Sequence, residues 1–431
     1  MPRCLSRNRP TPATPTINPK AEHFMSSPSP PPSPPPSPPP AAEVPSAIQV
    51  SGRDPDGRFI LSVLAKRSYR WLGDGWQLHE EQVPLAVEAQ ADPDQPEVML
   101  TDTDLHPFKC RTDLIVKGAA QGGGRDEFRV VVGIGNRGHA IDVIGDRYLE
   151  RSPQGRLRYT PPQPIDVLPL SFAYAYGGTD RAAESKHGNP FLELSEEFRG
   201  DDIDLRAASP FRYPRNPAGK GYLTEWPEDN TPVAMPNLED PQDRLMPERA
   251  VAGDIDRWAT MPVPVATDWF DYGWFPRNAL FGFVPLFDPD APRPRELETG
   301  GLPPEIWDED FVATPASLFA GVNAAPLPLQ YPLLRGPAKV ELREIHPRLP
   351  RWVFGLPEDR PRLRVDGRGG KLADTEPVIH TIVVEPEIDR VSILWRGSAV
   401  ALRPYLPDEL ATMPFAAEWT RATSFRPRAD E

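Results

Sequence analysis

From residue 46 onward, apolar and polar positions fall into short blocks of strand length. Arg58 to Arg70 reads RFILSVLAKRSYR, with Ile60, Ser62 and Leu64 on one face and Leu61, Val63 and Ala65 on the other. Apolar members on both faces predict a strand that is covered on both sides. Asp56-Gly57 before it and Gly73-Asp74-Gly75 after it are turn signals, and Trp76 to Val87 reads as the return strand. Leu114 to Ala119 is a further apolar run. Phe128 to Ile134 and Ala140 to Ile144 flank Gly135-Asn136-Arg137-Gly138, the pattern of a hairpin whose turn residues accept positive φ. In the last third, strands are predicted at Lys339 to Ile345, Arg351 to Leu356, Arg362 to Asp366, Val378 to Val384 and Val391 to Trp395. Turn residues separate them, a cadence that suits antiparallel sheets. Thr314 to Asn323 carries an N-cap Thr followed by Pro and predicts a short helix.

Between about residues 161 and 310 the periodicity is lost. Pro, Gly, Asn and aromatic residues dominate, and Phe191 to Phe198 alone reads as a short helix. The aromatic residues Trp258, Trp269, Phe270, Trp274, Phe275, Phe281 and Phe283 predict a packed segment of long ordered loops. The expected architecture is therefore mainly β, with antiparallel, sandwich-like sheets, long Pro/Gly-rich ordered loops and a few short helices. Its parts are a disordered tail (1–45), a β-rich part (46–160), the loop-rich middle (161–310), a second β-rich part (311–405) and a C-terminal tail (406–431).

Composition sharpens this picture. Of 431 residues 59 are proline, and 16 of those fall within residues 1–45. Such density argues against long helices, because each interior proline removes a donor and costs about 3 kcal/mol. Pro28 to Pro40 reads PSPPPSPPPSPPP, a polyproline II spacer spanning roughly 40 Å at ~3.1 Å per residue. The net charge of −14 disfavours binding to phosphate backbones, so no nucleic-acid partner is expected. There is no run of apolar residues long enough to span a membrane and no apolar signal segment, which leads to the expectation of a cytoplasmic protein. The two cysteines, Cys4 and Cys110, give no disulfide framework.

Few motifs point to chemistry. Gly133-x-Gly135-x-x-Gly138 has the spacing of a dinucleotide fingerprint, but the residues after it alternate as a strand where a helix is required. It reads as the hairpin. The seven histidines lack helical i, i+3 or i+4 pairing, so neither metal nor cofactor is expected. The acidic groups Asp102/Asp104, Asp201/Asp202/Asp204 and Asp288/Asp290 read as solvated turns, and Asp54-x-Asp56-Gly57 only begins a calcium loop. There is no Gly-x-Ser-x-Gly elbow. A carbohydrate hydrolase with two facing carboxylates stays open as an alternative.

Three knots of Gly, Pro and Asn beside aromatic and charged residues stand out: Ala173 to Gly178, Tyr213 to Tyr222, and Met235 to Pro241. Gly permits unusual backbone angles and Pro fixes φ, so these segments predict rigid loops. Rigid aromatic loops lose little entropy on binding. Partner contacts are therefore expected at Tyr174, Tyr176, Gly177, Gly178, Arg215, Asn216, Tyr222, Asn237 and Glu239. Asp146 and Arg147 are expected to be buried and structural.

The knots also carry a resemblance. In order, the chain holds Asp104-Leu105-x-Pro107-x-Lys109, Asp113 to Ala119, Gly145-Asp146-Arg147, Leu168-Pro169-Leu170, Tyr176-Gly177-Gly178 and Arg215-Asn216-Pro217-x-Gly219-x-Gly221. Pro236 to Pro241, Asn323-Ala324-Ala325-Pro326 and Val391-x-Ile393-x-Trp395-Arg396 follow. This collinear set resembles the domain-of-unknown-function family 2169 (DUF2169), found in type VI secretion clusters. The resemblance implies a bacterial adaptor or chaperone, without catalytic residues, that helps load an effector onto the VgrG/PAAR spike. A secreted spike-associated component is the other role it leaves open. The chain departs from the family pattern at Leu327 to Gln330, in the aromatic-rich Met261 to Arg277 stretch, and in the proline-rich tail.

Overall fold

Two sheets carry the chain's apolar stripes into a common core. The computed structural model describes residues 46–189, 209–281, 292–299, 306, 312, 320–366 and 370–419. The expected proline-rich tail, the helix at 191–198 and most of the helix at 314–323 lie outside these residues.

In the larger sheet the strands run in the order Ala47–Arg53, Phe59–Trp71, Arg390–Val400, Val378–Glu385, Arg111–Val116 and Gln330–Pro332. Neighbours are antiparallel except Val378–Glu385 and Arg111–Val116, which pair in parallel. The second sheet is antiparallel, in the order Leu238–Glu239, Arg137–Ile144, Glu127–Ile134, Lys339–Arg343 and Arg351–Gly355. Leu61, Val63 and Ala65 of the first sheet share one core with Val130, Val132, Val340, Leu342 and Trp352 of the second. This is the expected mainly β architecture.

The strand Phe59–Trp71 is buried on both faces, as its pattern predicts. Its outer face is covered by the segment 79–109 through polar contacts. Ser62 Oγ donates to Pro107 O (2.8 Å), and Lys66 Nζ donates to Asp104 (2.8 Å) and Pro84 O (3.1 Å). Asp102 and Asp104, expected in solvated turns, are both buried, because Arg277 and Lys66 neutralise them. The return strand is shorter than expected, only Trp76–Leu78. Beyond it the Gln82 amide takes the place of a ladder partner, bonding both Ser68 N and Ser68 O.

The glycine triplet is a hairpin. Glu127–Ile134 and Arg137–Ile144 pair through a two-residue turn at Gly135-Asn136. Gly135 has φ +63°, as a turn with glycine at its first central position requires. A Cβ on Gly133 would lie 2.4 Å from Arg137 O. At the other end, part of the expected C-terminal tail is ordered. Pro407–Thr412 is a helix whose Glu409 side chain accepts from Leu406 N (2.9 Å). Phe415–Trp419 then pairs with Pro361–Val365 and puts Trp419 under the Arg67 guanidinium at 4.0 Å.

The middle region has only short elements, among them Ile165–Pro169, Tyr176–Gly177, Lys220–Gly221 and the helix Arg181–His187. It nevertheless has its own core, built from Tyr176, Tyr213, Tyr222, Trp258, Phe275 and Leu280.

Candidate functional site

The three knots converge. Tyr176–Gly177 pairs in parallel with Lys220–Gly221, Ala175 bridges to Leu238, and Asn237 N donates to Tyr174 O at 2.8 Å. Close backbone approach needs glycine at the junction. Gly177 (φ +152°) and Gly178 (φ +95°) hold angles that L side chains rarely adopt. A Cβ on Gly177 would meet Asn216 O at 2.0 Å.

Beneath this junction the polar side chains point inward. Arg215 is fully buried and binds Glu296 through two contacts (Nε to Oε1 2.5 Å, Nη2 to Oε2 2.7 Å). It also donates to Tyr213 Oη (2.9 Å) and Trp258 O (3.1 Å). Burial alone would lower its pKa, but Tyr213 and Glu296 outweigh that and raise it, so the guanidinium stays charged. Asn216 Nδ2 donates to Phe172 O (2.9 Å) and Tyr176 O (3.0 Å). Asn237 Nδ2 donates to Ile144 O (2.8 Å) and Asp146 (3.1 Å). Arg147 pairs with Glu239, whose carboxyl is pushed up by burial and partly restored by that cation. The rings of Tyr176, Tyr213 and Tyr222 pack with centroids 5.0–6.4 Å apart.

The expected contact residues therefore need correcting. Tyr176, Gly177, Gly178, Arg215, Asn216, Tyr222, Asn237 and Glu239 are all buried, and only Tyr174 is half-exposed. Amphipathic side chains that read as a surface are in fact frame, because their partners come from distant segments. Arg147 is buried as expected, but Asp146 is exposed, its carboxylate within 3.6 Å of Lys220 Nζ.

What the frame presents outward is a groove of about 450 Å³. Gly177, Gly178 and Gly221 line it together with Ala182 and Thr231. Asp180 ties the helix Arg181–His187 to Thr224, accepting from Ala183 N (3.0 Å), Thr224 N (2.7 Å) and Thr224 Oγ1 (2.9 Å). These contacts pin the base of the groove, and the exposed residues Ala182, Asp229 and Thr231 line it. Glycine content was the signal for it in the sequence; the outward direction was not.

A second concavity, about 220 Å³, lies where the middle region meets the sheets. Val265, Phe270, Phe275, Leu280 and Ala325 line it. Three of its polar wall groups are engaged, Arg277 with Asp102 (2.8 Å), Asn323 with Asp113 (2.8 Å) and Glu296 with Arg215, while His139 Nε2 is buried without a hydrogen-bond partner. Asp113 also binds Lys109 (2.7 Å), both fully buried, so motif segments far apart in the chain meet in one ion-paired cluster. Burial holds Asp102 up, but the His106 hydrogen bond and the Arg277 charge more than offset it and keep its carboxyl below the usual range. Among the described residues no group of three or more His, Cys, Asp or Glu side chains is placed to hold a metal ion, and no helix is long and apolar enough to cross a membrane.

Fold and site together define a mainly β protein whose motif residues frame an open, glycine-lined groove. A family model described as "Uncharacterized protein conserved in bacteria (DUF2169)" matches residues 56–396, and the chain belongs to that family. Among curated proteins and among solved structures, nothing matches it.

Proposed function

We propose that the protein is a non-enzymatic adaptor that helps load an effector onto the VgrG/PAAR spike of a bacterial type VI secretion system, acting in the cytoplasm of the producing cell. One observation carries this reading. The segments through which the chain resembles such adaptors converge on a rigid frame, and their polar side chains are spent on holding the loops beneath an open groove. Side chains used in this way specify a shape, and a pre-shaped surface binds a polypeptide with little ordering cost. The acidic balance of the chain fits a protein partner better than a nucleic acid.

Affinity purification of the full chain from its own cells tests the reading. Recovery of a co-encoded effector, PAAR or VgrG protein is expected, and recovery of none of them would sink it. Ala182→Arg and Thr231→Arg, at exposed positions on the groove walls, should weaken that recovery without changing thermal stability. Appearance of the protein in the secreted fraction would favour a spike component over an adaptor.

A further inference from the structure

The concavity of about 220 Å³ where the middle region meets the sheets has an apolar floor and an open mouth. Val265, Phe275, Leu280 and Ala325 on its wall are buried, Leu327 is half-exposed, and Arg111 and Pro328 are exposed. Native packing leaves few voids larger than a water molecule, so a hollow of this size calls for an occupant. Water is a poor one. A buried water needs roughly two to four polar partners. Arg277, Asn323 and Glu296 are already engaged, and of the buried side-chain polar atoms on the wall, His139 Nε2 alone lacks a partner among the described residues. An apolar ring suits the hollow better: a cavity of about 150 Å³ with Leu, Ile and Phe walls stays dry and binds benzene.

The mouth carries charge of both signs. Arg111 opens the strand Arg111–Val116, and its guanidinium makes no hydrogen bond or ion pair among the described residues. Asp240 comes from the third knot and is half-exposed; its carboxylate accepts from Gln242 N (2.8 Å) and is in no ion pair among the described residues. A small polar ligand would need several free donors or acceptors converging inside the hollow, and the wall does not supply them. An apolar centre ringed by unpaired charges is instead the anatomy of an anchor site in a protein interface, where a ring fills the centre and its charged neighbours meet the rim.

We propose that this hollow is the anchor site for one aromatic side chain of the partner polypeptide. This rests on the adaptor reading and adds to it the contact that supplies affinity: Val265, Phe275, Leu280, Ala325 and Leu327 enclose the ring, and Arg111 and Asp240 pair with residues of opposite charge beside it.

Indole is the probe, because it carries a ring without a chain. Titrated into the full chain with its Val and Leu methyl groups labelled for NMR, it should shift the methyls of Val265, Leu280 and Leu327 in a saturable way. Leu327→Trp brings a ring to the half-exposed side of the hollow and should abolish the shifts at Val265 and Leu280. With the co-encoded effector, PAAR and VgrG proteins as capture targets, the same substitution should weaken capture at least about tenfold. Arg111→Glu, on the rim, should weaken it by a smaller factor. Saturating indole should also lower capture by the wild-type chain, a readout that needs no variant and is independent of folding defects. No methyl shift at the three residues would overturn the proposal and leave the adaptor reading standing. Indole bound in the hollow, with capture changed neither by indole nor by Leu327→Trp, would assign the site to a small molecule and overturn the anchor role. No capture by wild type would remove both the anchor and the adaptor reading.

Discussion

The sheets and the loop-rich middle are equally well buried but are held by different forces. In the sheets, order comes from apolar alternation and backbone ladders: Leu61, Val63, Val132, Leu342 and Ile382 are fully buried, and their backbones pair with neighbouring strands. In the middle region the strands are only a few residues long, and the backbone is fixed by side chains instead. Asn216 and Asn237 clamp carbonyl groups, Asp180 gathers amides, and Arg215 makes six hydrogen bonds from one guanidinium. The first region resists change in proportion to the apolar volume lost. The second depends on a few residues, each without a substitute.

The sharpest break between the two should appear at Arg215. Arg215→Ala strands the Glu296 carboxylate in the interior and should cost about 3–5 kcal/mol, the range for breaking a buried pair from one side. Chemical denaturation measures it, and a loss under about 1 kcal/mol would mean that the middle is not held by this cation. Next in size is Asn216→Ala. It leaves the buried Tyr176 carbonyl unpaired, while Phe172 O keeps Ala175 N at 3.1 Å, and should cost about 1–3 kcal/mol. Asn216→Leu, similar in volume but without the amide, should do no better. If it restores stability, packing holds the knot and the contrast fails.

The same contrast decides what could be read in the sequence. Phe59–Trp71, the 127–144 hairpin and the strands of the last third were legible because a strand repeats every two residues and its turns use Gly and Asn. The knots were legible as rigid, from residue type, but not as buried. Nothing in the spacing pairs Arg215 with Glu296, which lies 81 residues away, or Asp102 with Arg277, 175 residues away. A lone Arg or Asp between prolines looks solvated until its partner is known. The groove was hidden for a related reason. It depends on which way a backbone faces, and that is fixed by tertiary pairing.

A conservative change in the sheets should be mild by comparison. Ile382→Val removes one methylene from the shared core and should cost about 0.5–1.5 kcal/mol. A cost as large as that of Arg215→Ala would show the sheets to be no more tolerant than the loops.

The most discriminating test is pH, because the two regions should respond with opposite sign. On the second sheet, burial pushes His139 from its ordinary 6.5 down to about 4. The folded state then binds fewer protons than the unfolded chain between these values, so stability is complete above about pH 6.5 and falls as pH drops toward 4. In the middle region, burial raises Asp268 from 3.8 to about 6. There the folded state holds the extra proton, so stability is complete below about pH 3.8 and falls as pH rises through 6. His139→Gln should therefore flatten the loss between pH 6.5 and 4. Asp268→Asn, which keeps the oxygen that accepts from Trp269 N, should raise the denaturation midpoint above pH 6 and leave it unchanged below pH 4. If both substitutions shift the same limb of the stability profile, the two regions do not carry separate electrostatic loads, and the division between them rests on hydrogen bonding alone.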